Sequence, residues 1–322
     1  MDARALHPSA RHPPSAGRGR RGLLRCARPR LRHRPAPRMA YRLAGTAPRH
    51  PAHPRHPPRP RNTERRGRVA PPRTRQRPFA SPHRNRMTRT KTSPLLTTRY
   101  GLCAPSPSDA PAARALQFYG EWAEQETDLL SGLVTDGHHV VEIGGDFGAH
   151  TLWLARAVGD TGAVHVIEPR RLPFQQLCAN VALNQLPNVF THHAWLGDAD
   201  GMHELDGEAV RKATLDGLAL PALHLLKINL AHALPDALAG AARTLRDHRP
   251  VLYARLSGLE AAEHEVDAIK ALGYRAWSHT PPLFNPENHA GAVRNIFPGI
   301  VTCNVIAAHG ESGIEFETGI EL

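Results

Sequence analysis

Val140-Val141-Glu142-Ile143-Gly144-Gly145-Asp146-Phe147-Gly148-Ala149-His150-Thr151 is an apolar run ending in a carboxylate, then a glycine-rich turn, then the start of an amphipathic segment (Leu152, Leu154, Ala155, Val158). A second short apolar run, Val164-His165-Val166-Ile167-Glu168, follows and also ends in a carboxylate. Strand, glycine turn, helix and strand make a βαβ unit whose loop can hold a nucleoside-bearing cofactor. Glycine is what lets backbone N–H groups come close to such a ligand. One stretch therefore predicts a site and a fold class together.

Working outward, Ala113 to Leu133 has helical spacing, with Leu116, Tyr119, Trp122, Leu129, Leu130 and Leu133 set among acids. Helices are also expected from about Ala149 to Val158, Pro173 to Asn184, Pro235 to Arg246 and Glu260 to Leu272. Strand-like runs are Val189–Leu196, Leu223–Ile228, Val251–Leu256, Tyr274–Trp277 and Ile300–Ala307. Strands alternating with helices predict an α/β domain: a Rossmann-like, doubly wound, mostly parallel sheet.

Charge divides the 322 residues near Met87. Residues 1–86 hold 24 Arg, no Lys and only two acids (Asp2, Glu64), a local balance of +22, whereas the rest carries 17 basic and 27 acidic residues, a balance of −10. The first segment also holds 16 of the 30 prolines. Too little of it is apolar to offset the entropy of ordering, so 1–111 is expected to be a disordered Arg/Pro-rich segment and 112–322 the folded domain. An Arg-rich arm can bind nucleic acid by counterion release, and it also has the composition of an organelle transit peptide. Arg with Pro, Ala, His and Gly but no Lys is equally what GC-rich DNA upstream of a start codon encodes. That last reading is favoured, with Met87 as the start. Four scattered cysteines (Cys26, Cys103, Cys178, Cys303) form no CxxC group, and no apolar run has the length of a membrane span. A cytoplasmic protein with no metal site, no membrane contact and no nucleic-acid partner is the expectation.

Glu-x-Gly-Gly-x-x-Gly is not the pyrophosphate-binding Gly-x-Gly-x-x-Gly. S-adenosyl-L-methionine has no pyrophosphate; it presents an amino acid, a sulfonium and an adenosine. Glu142 suits such a cationic ligand, Gly144 and Gly148 allow close backbone approach, and the helix N-terminus can receive the ligand's carboxylate. Glu168 stands where an acid accepts both ribose hydroxyls. Asp198, ending the next strand, is placed to meet the adenine amino group.

Residues 118–198 resemble the FkbM family of S-adenosylmethionine-dependent methyltransferases. The matching residues are Tyr119-Gly120-Glu121-Trp122 with Glu124 and Glu126, the Glu142–Thr151 loop, Val158-Gly159-Asp160, Glu168-Pro169, Asn180 to Asn184 and Gly197-Asp198. The similarity continues through Thr214-Leu215-Asp216, Leu225-Leu226-Lys227-Ile228 and Gly240-Ala241, and resumes at Arg249–Leu252, Leu272–Tyr274 and Pro281–Asn288. It implies the class I Rossmann-like methyltransferase fold, S-adenosyl-L-methionine as cofactor, and methyl transfer to an oxygen of a small molecule or sugar. It also adds Glu121, Gly145 and Thr151 to the cofactor-binding residues.

One departure bears on the chemistry. Where the family usually has Lys-Ile-Asp-x-Glu-Gly, this chain has Lys227-Ile228-Asn229-Leu230-Ala231-His232, and Arg255 stands where an acid is common. Transfer to a hydroxyl needs an in-line approach to about 3 Å and a base for the proton. Asn229 then remains only as a positioning group, and the bases in reach are His150 and His232; an acceptor that arrives already activated needs none. Pro281–Asn288 with Asn304 can line an acceptor pocket. A catalytically silent partner protein is the alternative, followed by nucleic-acid binding through the Arg arm; a nicotinamide oxidoreductase fits worst.

Overall fold

The computed structural model describes residues 94–106, 109–317 and 319–322, all within one compact unit, Ser81–Leu322. The disorder expected for residues 1–93, and the readings of the Arg-rich arm, lie outside the described residues. The order of elements is β1 (Leu96–Thr98), β2 (Gly101–Cys103), α1 (Pro111–Tyr119), α2 (Glu124–Leu130), β3 (His139–Ile143), α3 (Ala149–Ala157), β4 (Ala163–Ile167), α4 (Arg171–Leu183) and β5 (Val189–His192). There follow β6 (Trp195–Leu196), β7 (Gly201–Leu205), β8 (Glu208–Ala213), β9 (Leu225–Ile228), α5 (Leu234–Ala239), α6 (Ala242–His248), β10 (Val251–Arg255), α7 (Leu259–Ala271), β11 (Tyr274–His279) and β12 (Asn304–His309).

The main sheet has seven strands in the order β11-β12-β10-β9-β3-β4-β5. All are parallel except β12, which runs antiparallel to both its neighbours. This is the expected Rossmann-like α/β class. Strand alternation assigns the two faces. Val141, Leu226 and Leu252 pack with Leu234, Leu238, Leu245 and Ile269 on the α5–α7 side. Val140, Leu225 and Tyr253 pack with Leu130, Leu154 and Ala155 on the α2–α3 side, while Val166 meets Leu177 and Val181 of α4. Burying each large aliphatic side chain contributes about 1.5–3 kcal/mol, so the two apolar layers supply most of the stability.

The chain leaves β3 toward β4 on one side, and β9 sits on the other side of β3. That reversal of strand order is a topological switch point, and the crevice beyond the carboxyl ends of β3 and β9 is where open α/β sheets bind ligands.

Four expectations need correction. Residues 94–106 fold with the domain: β1 and β2 form a hairpin, and Tyr100 and Cys103 pack with Leu116, Phe147 and Leu152. The single helix over 113–133 is two helices, because Gly120 (φ +69) caps α1 in the left-handed conformation and Ala123 (φ +47) starts α2. The helix over 235–246 breaks at Gly240, a point of close backbone packing. The strand over 189–196 divides too: Val189–His192 joins the main sheet, whereas Trp195–Leu196 joins a separate three-stranded sheet, β6-β8-β7. That small sheet was not expected, although Asp206 (φ +52) and Gly207 (φ +80) make the Asp-Gly turn that signals a hairpin.

A Cβ on Gly240 would stand 1.9 Å from the Gly197 carbonyl oxygen, with backbone on both sides of the contact. Gly240→Ala is therefore expected to destabilise the domain by about 2–3 kcal/mol, against about 1 kcal/mol for Gly217→Ala, whose nearest neighbour is the Thr214 hydroxyl at 3.0 Å. Urea unfolding of the two variants checks the difference.

Candidate active site

At the switch point lies a cleft of about 770 Å³ including its mouth, in the place where open α/β sheets bind small molecules. Its lining includes Trp122, Glu142, Gly144, Asn229, Arg170 and Arg255, together with Gly145, Asp146 and His150. Sheet order sets their sequence along the strand ends: Arg255 closes β10, Asn229 follows β9, Glu142 and Gly144 end β3, and Arg170 follows β4.

The glycine turn is shaped by the protein's own packing. Gly144 has φ +80, and a Cβ there would stand 2.8 Å from the Leu230 nitrogen; at Gly145 it would stand 2.3 Å from Val166 Cγ2. The N–H groups of Gly144 and Gly145 both donate to the Ile167 carbonyl, at 2.8 and 3.3 Å. Gly148 (φ +94) begins α3 against Leu177 and does not line the cleft. These glycines hold β3, β4 and β9 together, and Gly144 and Gly145 also line the cleft, whereas Gly148 does not.

Glu142 is buried (1% exposed) and anchors the floor. Its Oε2 accepts from the Thr151 hydroxyl at 2.5 Å and its Oε1 from Asn229 Nδ2 at 2.9 Å. The Asn229 Oδ1 in turn accepts from the Lys227 ammonium, which has no exposed surface. An amide presents a donor to the carboxylate and an acceptor to the ammonium at once; an aspartate there would set a second acid against Glu142. Asn229 is thus a bridge between buried charges, and Thr151 acts through Glu142 rather than lining the cleft. Burial raises the Glu142 carboxyl above its usual range despite the opposing pull of Lys227.

Below this bridge Lys227 stands 3.7 Å from Glu126, whose Oε1 accepts from Arg255 Nη2 and Asn304 Nδ2, each at 3.3 Å. Burial acts to raise the Glu126 carboxyl, but Lys227 and its other partners hold it down at about 2. Glu126 was no site candidate in the sequence, although it stands in the Tyr119–Glu126 stretch that carries the resemblance.

Glu168 has no exposed surface, and all four of its lone-pair directions are taken. Oε1 accepts from the Arg170 backbone N–H (2.9 Å) and Nε (2.8 Å); Oε2 accepts from the Asp146 backbone N–H (2.8 Å) and Arg170 Nη2 (3.0 Å). Asp146 Oδ1 lies 3.5 Å from the same guanidinium. Arg170, the residue after Glu168-Pro169, is a cleft residue that the sequence pattern did not single out, as is Asp146.

Other candidates are elsewhere or otherwise engaged. His150 lines the cleft, but its Nε2 lies 3.0 Å from the Trp122 carbonyl and therefore carries the proton. Burial, and then the Lys227 charge, pull its pKa down to about 3. Nδ1 is then the ring nitrogen left to accept a proton. His232 is exposed on the loop after β9, with φ +63 and its backbone N–H on the Ser257 hydroxyl, outside the cleft lining. Asp198 follows β6 of the small sheet and pairs with Lys212 at 2.7 Å, so it does not end a strand of the main sheet. Glu121 accepts from Arg99 Nε, Asn285 Nδ2 and the His289 N–H, each at 2.8 Å; it fastens the β1–β2 hairpin and the 281–292 excursion rather than lining the cleft. Pro281–Asn288 contributes no cleft residue, and Asn304 is buried beneath it on Glu126. Among the described residues no group of three or more His, Cys, Asp or Glu could hold a metal, and no helix is long and apolar enough to cross a membrane.

Comparison with known proteins finds no matching family model. The chain is similar to the tRNA (adenine(58)-N(1))-methyltransferase TrmI of Thermus thermophilus, with 31% identity over 158 residues, 47% of this chain and 56% of that protein. The chain thus spans little more than half the length of that relative. Among solved structures it is similar to a methyltransferase FkbM from Methylobacillus flagellatus KT (TM-score 0.44, 18% identity, 55% of this chain and 45% of that one). It is also similar to the Aeropyrum pernix fibrillarin with natively bound S-adenosyl-L-methionine (TM-score 0.38, 14% identity, 57% of this chain and 74% of that one).

Removing Lys227 leaves Glu126 and Glu142 buried with less compensation. Lys227→Met is expected to cost about 3 kcal/mol or more at pH 7, measured by urea unfolding. Because the folded pKa of Glu126 lies below its ordinary value of 4.5, its ionised form favours the folded state above pH 4.5, and that contribution disappears as pH falls towards 2. The deficit of Lys227→Met should therefore shrink between pH 4.5 and 2.

Proposed function

We propose that this domain is an S-adenosyl-L-methionine-dependent methyltransferase of the FkbM type, acting on an oxygen of a small molecule. The observation that carries this reading is Glu168: a carboxylate without exposed surface, at the switch point, whose bonds to protein divide into two from backbone and two from one side chain. When the Arg170 side chain, 37% exposed, turns away, the backbone N–H groups remain and two lone-pair directions open. That number matches the two hydroxyls of a ribose, and Asp146 stands ready as the alternative partner for the guanidinium.

The residues fit the rest of the cofactor as well. Glu142 is an acid held by neutral donors beside a cleft, a suitable partner for an α-ammonium group, and the α3 N-terminus favours a carboxylate. When bound, the cofactor supplies a methyl group on a positively charged sulfur. Asn229 keeps Glu142 oriented toward it. Trp122 and Leu230 contribute apolar wall that excludes water. The acidic balance of residues 87–322, 17 basic against 27 acidic, disfavours a phosphate-rich acceptor for this domain. An open cleft lined by polar groups likewise disfavours a catalytically silent partner protein. We further propose that Glu142, Gly144, Gly145, Asp146 and Glu168 hold the cofactor, and that the protein works in the cytoplasm.

Calorimetric titration of S-adenosyl-L-methionine into the full chain tests the reading. One equivalent is expected to bind, Glu168→Ala to weaken binding by about tenfold or more, and Arg170→Ala to tighten it several-fold by removing the charge-assisted bonds that compete for Glu168. Absence of binding by the wild-type chain would overturn the reading; unchanged affinity in Glu168→Ala would remove Glu168 from it.

A further inference from the structure

The β10 end of the cleft carries a cation with little to do. Arg255 lines the cleft with its side chain 29% exposed, yet its Nε is buried without a hydrogen-bond partner. Its one charged contact is Nη2 on Glu126 at 3.3 Å, and Glu126 is already shared with Lys227 and Asn304. A guanidinium has five donors in a planar fork that matches a carboxylate; here Nη2 is engaged by Glu126, while the side chain keeps exposed surface along the cleft where an acceptor would lie. Trp122, whose ring centre is 5.9 Å from the guanidinium carbon, adds a flat apolar wall.

Among the described residues, this end offers a hydroxyl no well-exposed base. Asn229 is a bridging amide, and His150 is buried with its Nε2 on the Trp122 carbonyl, its pKa lowered by that burial. Glu142 is bonded through both oxygens, and Asp146 stands beside Arg170 at the β4 end. A hydroxyl acceptor has to lose a proton during transfer; a carboxylate is ionised near pH 7 and has none to lose.

Resting on the methyltransferase reading above, we propose that the methyl acceptor is a small organic acid whose carboxylate, held by Arg255, is itself methylated. One carboxylate oxygen accepts from the guanidinium while a further lone pair of the group remains available for attack. The new O–CH3 bond forms as the S–CH3 bond breaks, and the bonding pair of the latter stays on sulfur. The sulfonium leaves as a neutral thioether, the carboxylate becomes a neutral methyl ester, and no proton moves. The ester has lost the charge that held it, so release from Arg255 follows from the chemistry.

The test begins with the full chain titrated with S-adenosylhomocysteine; failure to load condemns the methyltransferase reading itself, separately from this proposal. On the loaded protein, benzoate is the probe and benzamide its uncharged counterpart. Benzoate is expected to bind in preference to benzamide, to weaken at least tenfold in Arg255→Leu and to recover in part in Arg255→Lys, with S-adenosylhomocysteine affinity unchanged as the control for folding. In parallel, methyl-tritiated S-adenosyl-L-methionine is incubated with the protein and a small-molecule cell extract, and the labelled product is treated with alkali. Label released as volatile methanol supports a methyl ester. Alkali-stable label, or benzoate binding that is indifferent to Arg255 or no better than that of benzamide, overturns the proposal.

Discussion

Lys227 is a cation with no exposed surface, and an ammonium in that position has to be compensated on every side. It takes Glu126 from α2 on one side and, through the Asn229 amide, Glu142 from β3 on the other. This chain of charge runs across the carboxyl ends of β9 and β3, the two strands between which the topology reverses. It therefore does two things. It fixes the register of the segment after β9 against the glycine turn, and it sets the polarity of the cleft floor, with Glu142 toward β4 and Arg255 toward β10. Desolvation lowers the Lys227 pKa, and its acidic neighbours oppose that shift; the balance makes the ammonium dependent on the integrity of the whole chain.

The cleft is consequently asymmetric. Its β3–β4 side offers carboxylates, with Arg170 clasping Glu168, and suits a ligand that brings hydroxyls and positive charge. Its β10 side offers a guanidinium with unused donors and suits a ligand that brings negative charge. A cationic methyl donor and an anionic acceptor are complementary to those two ends and to one another, which lowers the cost of bringing them together in one cleft.

How much of this was legible depends on whether a feature is local. The βαβ unit was, because the Val140–Ile143 and Val164–Ile167 runs and the turn between them declare strand, loop and helix within thirty residues. Glu142, Gly144, Gly145 and Asn229 reach the cleft because each sits at or just beyond a strand end, and His150 because it opens the helix after the turn, positions that follow from the pattern. Asp198 misled because sequence order does not say which sheet a strand joins: the chain turns after His192, and Trp195–Leu196 pairs with β8 instead. Glu121 misled because its partners, Arg99, Asn285 and His289, come from both ends of the domain. The packing partners of the glycines, Leu230, Val166 and Leu177, were not legible because none of them is close in sequence. Arg170 was overlooked since nothing in its own neighbourhood tells that its side chain folds back on Glu168.

The central claim is that Glu168 exchanges an internal guanidinium for the hydroxyls of an adenosine-bearing ligand. A crystal structure of the full chain with S-adenosylhomocysteine examines that exchange atom by atom. The account predicts the ribose on Glu168, both backbone N–H bonds from Asp146 and Arg170 retained, and the Arg170 side chain withdrawn from the carboxylate. A structure in which the guanidinium keeps its grip on Glu168 and the nucleoside lies elsewhere would contradict it.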